Sequence, residues 1–261
     1  MRSFGKVFVC LLGAVLLAVF AVSGYRIWEI LRERQTAGAA YAELGLFLQL
    51  EEDIAGQDGT ASTEETGADI QAGFPKADFD SLRSINDQVV GWIYDDSSVI
   101  NYPIAQAQDN DYYLHHMFDG GSNASGCIFL DYRNQSDFSD SHCIIYGHHM
   151  KDGSMFAALS GYKTQEYYEA HPQMCLLTPG GNYTIEVFAG YVANVEDDAW
   201  KTGFASKEDY GAWIDSCLSK SLISASVKPT ASDRVITLST CSYEFEDARF
   251  VLHGVLHPLF P

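Results

Sequence analysis

Two stretches, Arg234-Val-Ile-Thr-Leu-Ser-Thr-Cys241 and Arg249-Phe-Val-Leu-His-Gly-Val-Leu256, decide how this chain folds. Both are rich in β-branched and aliphatic residues, and both alternate. The short loop between them carries the acids Glu244, Glu246 and Asp247. Two such runs read as neighbouring antiparallel strands. Alternation puts Val235, Thr237, Ser239 and Cys241 on one face of the first strand, and Arg249, Val251 and His253 on one face of the second. Closing the hairpin brings the guanidinium within reach of the sulfur. A fixed cation favours the thiolate, which is the nucleophilic form of cysteine.

A nucleophilic cysteine works with an acid/base partner. The stretch Ser141-His-Cys-Ile-Ile-Tyr-Gly-His-His-Met150 supplies the candidate. His142 to Tyr146 reads as a buried strand, Gly147 as its end, and His148 lies just past it. Glycine permits an abrupt turn there. An imidazole at the rim of a sheet can titrate near neutral pH.

Working outward, short apolar runs recur at Val99–Ile104, Gly126–Tyr132, His142–Tyr146, Met174–Thr178, Tyr183–Val195, Val235–Cys241 and Phe250–Leu256. Gly, Asn and Asp clusters separate them, the pattern of an antiparallel barrel. Phe79, Leu82 and Ile85 suggest a short helix before it. Helical interruptions are expected at Asn110–Phe118, Met155–Ala158, Gln165–His171 and Ser206–Leu222. In the last, Ser206 is a good N-cap, and Tyr210, Trp213, Ile214 and Cys217 form one apolar stripe.

The N-terminal part reads differently. Val7 to Tyr25 contains no charged side chain. As a helix it spans about 28 Å, close to the hydrocarbon thickness of a bilayer. A cleaved signal peptide is the competing reading, with Ala21-Val-Ser23 as a passable site; the length of the run favours an uncleaved anchor. Residues 26–50 continue as a helix, and Glu51 to Gly73 reads as a solvated acidic spacer. The expected organisation is therefore residues 1–25 as N-terminal tip and transmembrane anchor (the tip being cytoplasmic by the resemblance given below), 26–73 as juxtamembrane helix and spacer, and 74–261 as the catalytic domain.

The 261 residues carry a formal charge of −19, which argues against a nucleic-acid partner. Six cysteines are present without a zinc-like pair. Cys10, Cys127, Cys143 and Cys175 read as small buried apolar side chains; Cys217 stays open, and one disulfide remains compatible with the sequence.

Gly147-His148 at a strand end, Thr237-Leu-Ser-Thr-Cys241, and Arg249 on the following strand resemble the His/Cys/Arg signature of sortases. These are Gram-positive cysteine transpeptidases that attach surface proteins to the cell wall. Class B is the subclass it looks like. The match is carried by Val90-Gly-Trp-Ile93 with Ile100-Asn-Tyr-Pro103, by Gly126-Cys-Ile-Phe-Leu-Asp-Tyr-Arg133, and by Tyr146-Gly-His-His-Met-Lys-Asp-Gly-Ser-Met-Phe156. It covers residues 78–257. The resemblance implies a mainly β fold with added helices: a closed antiparallel or mixed eight-stranded sortase barrel, an N-terminal helix, and a helix between strands 6 and 7. It implies Cys241 as nucleophile, His148 as proton-transfer group with His149 as loop support, and Arg249 as the oxyanion partner. A surface salt bridge to Glu244, Glu246 or Asp247 is the competing role for Arg249.

For substrate, the resemblance points to Ser239 as a groove residue and to Asn110 and Leu114 as an amide and an apolar contact. Tyr210 and Ile214 read either as a groove wall or as ordinary helix packing. Ser242 departs from class B members that carry an acid after the cysteine. The implied reaction cleaves a C-terminal sorting signal after its threonine through a thioester, then transfers the protein to an amine of a cell-wall peptidoglycan precursor. Alternatives are a class B pilin polymerase with a lysine acceptor and an inactive surface-binding barrel. A papain-like protease is disfavoured, because there the cysteine precedes the histidine. The resemblance places the N-terminus inside and the catalytic domain outside a single-pass membrane anchor. No metal or organic cofactor is implied.

Overall fold

Eight strands close into one barrel in the computed structural model, which describes residues 2–49, 75–97 and 99–259. They are β1 (Val89–Tyr94), β2 (Asn101–Ala105), β3 (Ile128–Leu130), β4 (His142–Tyr146), β5 (Gln173–Thr178), β6 (Gly181–Asn194), β7 (Val235–Cys241) and β8 (Ala248–Leu259). Their order around the barrel is β8-β6-β5-β1-β2-β3-β4-β7, with β7 pairing β8 to close it. Two ladders, β2–β3 and β4–β7, are parallel and the rest antiparallel. The barrel is thus mixed, where alternation alone suggests an antiparallel one. β1 was absent from the seven expected runs: Val-Val-Gly-Trp-Ile-Tyr is buried along its whole length and shows no polar alternation.

The chain divides into residues 1–40 and a body of residues 41–261. The helix α1 (Arg2–Leu44) forms the first unit as far as residue 40, and its last turn is counted with the body. Leu11, Leu16 and Phe20 are exposed on it. Among the described residues one helix is long and apolar enough to cross a membrane. The spacer expected over residues 51–73 lies outside the described residues, as does the side chain of Cys10.

Within the body, α2 (Phe79–Ile85) is capped by Asp78, which accepts from the Ser81 N–H at 3.0 Å. Then come α3 (Tyr112–His115), a 3-10 turn at Phe156–Lys163, α4 (Gln165–Ala170), and α5 (Lys207–Lys220) between β6 and β7. Ser206 caps α5 by accepting from the Asp209 N–H at 3.2 Å. The α5 stripe of Tyr210, Trp213, Ile214 and Cys217 packs on Phe188 and Tyr191 of β6, Val235 of β7, and Val251 and Val255 of β8. Burying each large apolar side chain contributes about 1.5–3 kcal/mol.

That packed face is the same strand face that carries Cys241 further along. A buried polar chain runs through it. His142 Nδ1 lies 2.7 Å from the Lys201 carbonyl, so Nδ1 carries the proton. His142 Nε2 then accepts from the Thr237 hydroxyl (2.6 Å), and Thr237 Oγ1 accepts from His253 Nδ1 (2.7 Å). His253 Nε2 ends the chain without a partner. Burial pushes the pKa of His142 down to about 4 and that of His253 well below the ordinary imidazole value. Both rings are therefore neutral and structural.

Cys127, Cys143 and Cys217 are buried free thiols; Cys175, expected to be buried, is half-buried, on the β5 face that it shares with the exposed Gln173. Burial pushes Cys127, Cys143 and Cys175 up to about 12 and Cys217 to about 11.

Candidate active site

The β7–β8 hairpin closes in the register that the alternation implies. Arg249 lies directly opposite Cys241, Val251 opposite Ser239, and His253 opposite Thr237. On the other side of β7, the parallel strand β4 sets Tyr146 beside Ser239. The Gly147 N–H donates to the Ser239 carbonyl at 3.1 Å, so β4 delivers His148 just beyond Ser239. Gly147 is required by contact rather than by turn geometry. A Cβ there would lie 2.4 Å from Ile128 Cδ1 and 2.7 Å from the Phe156 ring.

His148 is held on two sides. Its Nε2 lies 2.8 Å from the Leu114 carbonyl. A carbonyl only accepts, so Nε2 carries the proton and Nδ1 is the nitrogen open to proton exchange. Behind the ring stands Gly126, with φ +58°; a Cβ on it would come 3.1 Å from His148 Cδ2 and 2.4 Å from the Tyr113 carbonyl. Tyr41 fixes this glycine by donating to its carbonyl at 2.5 Å.

A cleft of about 440 Å³ opens over this hairpin. Cys241, His148 and Arg249 all line it, and so do Ser239, Asn110 and Leu114. Six of the eight expected site residues therefore share one cavity. Leu114 has a second part there, through the carbonyl that orients His148. Tyr210 and Ile214 are placed elsewhere, in the core under α5 with 4% and 1% exposure. The Tyr210 hydroxyl shares its proton between the carbonyls of Ser141 (2.6 Å) and Asp233 (3.1 Å). Of the two readings of that stripe, helix packing is the one the structure has. The face that α5 covers continues into the cleft, but α5 stops short of it.

Phe129, Tyr146, Val195 and Trp200 also line the cleft and were missed as site residues. The Trp200 indole N–H donates to Ser239 Oγ at 3.1 Å, so the expected groove serine is already oriented. A buried carboxylate, Asp131, ties together side chains that line the cleft. It accepts from the Tyr146 hydroxyl (2.9 Å), from Asn110 Nδ2 (3.0 Å) and, through both oxygens, from Arg133 (2.9 and 2.7 Å). Arg133 also donates to the Trp200 carbonyl at 3.2 Å. Burial alone would raise the Asp131 carboxyl; the Arg133 bonds outweigh it and hold the group ionised below its usual range. Asp131 and Arg133 stand in the Gly126–Arg133 stretch that carried the resemblance, and Tyr146 in the histidine stretch. Trp200, a lone aromatic in a polar connection, gave no signal.

His149 lies outside this cleft, with its ring 5.4 Å from that of Tyr243. Arg249 donates to the Ala248 carbonyl at 3.0 Å and forms no ion pair with a loop acid among the described residues.

No protein-family model matches the chain. Sortase B of Listeria monocytogenes is 40% identical over 177 residues, covering 67% of this chain and 72% of the relative. Sortase B of Staphylococcus aureus is 36% identical over 169 residues, covering 65% and 69%. Among solved structures, the S. aureus sortase B–substrate complex superposes with TM-score 0.67 at 34% identity, over 70% of this chain and 85% of that one. Sortase B from B. anthracis in complex with AAEK1 gives 0.72 at 32% identity, over 88% and 100%. Barrel, cleft and relatives agree, and the chain belongs to the sortase B family of cysteine transpeptidases.

Proposed function

We propose that this enzyme cleaves a C-terminal sorting peptide after its threonine and passes the protein to an amine of a cell-wall precursor. The observation that carries this reading is the pairing of Arg249 opposite Cys241, with His148 on the same cleft. Cys241 attacks the threonine carbonyl. Negative charge develops on that oxygen, and the Arg249 guanidinium supplies a rigid donor fork to meet it. His148 takes the Cys241 thiol proton on Nδ1 as the sulfur attacks and gives it to the leaving amine as the thioester forms. It then takes one from the incoming amine, which displaces the sulfur and restores the cysteine. Among the described residues it is the Leu114 carbonyl, not a carboxylate, that meets the imidazole and sets its tautomer.

The peptide lies over Ser239, with the Asn110 and Leu114 wall beside it. A substrate complex of the S. aureus relative supports a peptide occupant. The helix α1 anchors the enzyme as a single pass, with the barrel outside the cell. Its apolar side chains at Leu11, Leu16 and Phe20 face outward, as a lipid-embedded helix requires.

The test is to incubate the full-length chain, in detergent micelles, with a pentapeptide library and two acceptors, triglycine and a lysine-bearing peptide. Cleavage after threonine with ligation to triglycine is expected, and none with Cys241→Ala. Exclusive use of the lysine acceptor would shift the reading to pilin polymerisation. Absence of turnover with every peptide would leave only a binding barrel.

A further inference from the structure

Glu244, Glu246 and Asp247 lie in the loop that joins Cys241 to Arg249. Glu246 and Asp247 leave the Arg249 guanidinium without an ion pair among the described residues. Glu244 is instead taken by Lys163, the last residue of the 3-10 turn Phe156–Lys163. Lys163 Nζ lies 2.5 Å from Glu244 Oε1 and 3.0 Å from Ser242 Oγ. The Ser242 hydroxyl donates to the other Glu244 oxygen.

This cluster sits on the far side of the hairpin from the cleft. Alternation turns Ser242 to the face opposite Cys241, and Ser242 is buried there. Lys163 Nζ is 5.6 Å from the centre of the Phe250 ring, and Phe250 follows Arg249 on that same opposite face. The Lys163 side chain is only 29% exposed, so the pair is not a freely solvated one. The neighbouring ammonium, with help from the Ser242 hydroxyl, holds the Glu244 carboxyl down at about 2. It is therefore an anion throughout the working pH range.

We propose that Lys163 is a positioning residue for transpeptidation: it holds Glu244 behind the hairpin and so keeps Arg249 free for the substrate carbonyl. The inference rests on the reading of Arg249 as the oxyanion donor. Without the ammonium, an uncompensated carboxylate remains on a short loop, five residues from Arg249. Arg249 is the cation at the end of that loop, and pairing with it would occupy the donor fork and cancel its charge.

Steady-state kinetics of the full-length chain, with the library peptide cleaved fastest and triglycine, test this. Lys163→Met is expected to lower kcat about fivefold with KM little changed, the population shift that a pair of this exposure can command. Adding Glu244→Gln should restore kcat to within about twofold of the parent, since the carboxylate that Lys163 had held is gone and the loop keeps only Glu246 and Asp247, beside which Arg249 already forms no ion pair among the described residues. Lys163→Arg should keep the parental rate. Raising the salt concentration should recover the rate of Lys163→Met alone, because it screens the new pair. Lys163→Gln, which keeps a donor for Ser242, replaces Lys163→Met if thermal melting shows the latter unfolded.

A double variant as slow as the single one would overturn the inference, because the ammonium would then act by its own charge or by packing. A single variant at the parental rate would overturn it too. Arg249→Met in the same series separates the two ideas: parental activity there removes the oxyanion reading itself. Impaired Arg249→Met without rescue of the lysine variant removes only the role of Lys163.

Discussion

In the proposed reaction acyl transfer puts negative charge on a carbonyl oxygen, and Arg249 is the residue whose place in the ladder sets a cation opposite Cys241, the proposed nucleophile. Arg249→Met is expected to lower kcat by about a hundredfold to a thousandfold, the usual cost of deleting one oxyanion donor. Its KM should change much less, and Arg249→Lys should recover only part, because an ammonium lacks the planar fork. The imidazole depends on a different device. Gly126 leaves room for the His148 ring and for the Leu114 carbonyl that fixes its tautomer. Gly126→Ala also strains the backbone at φ +58°. It should cost about a hundredfold in kcat, since displacing a catalytic group by an ångström is enough for that. A kcat within twofold of the parent would show that His148 does not need this support.

Elements explain what could be read from the chain and what could not. The β7–β8 hairpin was legible because both strands alternate and the loop between them is short. The histidine at the end of β4 was legible for a similar reason: a buried apolar run stops at a glycine. The α5 stripe was legible as a helix face but not as to what it covers. Residues at helical spacing describe a surface, and core and groove wall share that spacing. The first strand escaped because continuous burial erases alternation, and the parallel ladders because sequence order does not give strand order. Trp200 reaches Ser239 across 39 positions, a contact that no local pattern encodes. The placement of α5 has a measurable consequence. Ile214→Ala should destabilise the protein by about 2–5 kcal/mol while leaving the KM for peptide unchanged. A raised KM in a stable Ile214→Ala protein would return this residue to the groove.

At the scale of the whole molecule, the neutral buried histidines set an acid limit. His142 is depressed to about 4, whereas the unfolded chain titrates near 6.5. Between these values the unfolded state binds the extra proton, so stability is complete above about 6.5 and falls as pH drops toward 4. His253 acts in the same direction. At pH 5 the His142 contribution alone amounts to about 2 kcal/mol, and the urea midpoint should fall accordingly between pH 7 and pH 5. A midpoint that stayed flat over that range would mean that these rings are not buried neutral. The same barrel face that hides them carries the cleft at its other end, so one sheet surface serves both packing and chemistry. The claim on which the enzyme reading turns is that sulfur, imidazole and guanidinium act together in that cleft. Intact-mass analysis of the full-length chain mixed with sorting peptide, without an amine acceptor, tests it most directly. The account predicts a thioester adduct on Cys241 that forms at least about a hundredfold more slowly in His148→Ala and in Arg249→Met. An adduct on another cysteine, or unchanged acylation in either variant, would contradict it.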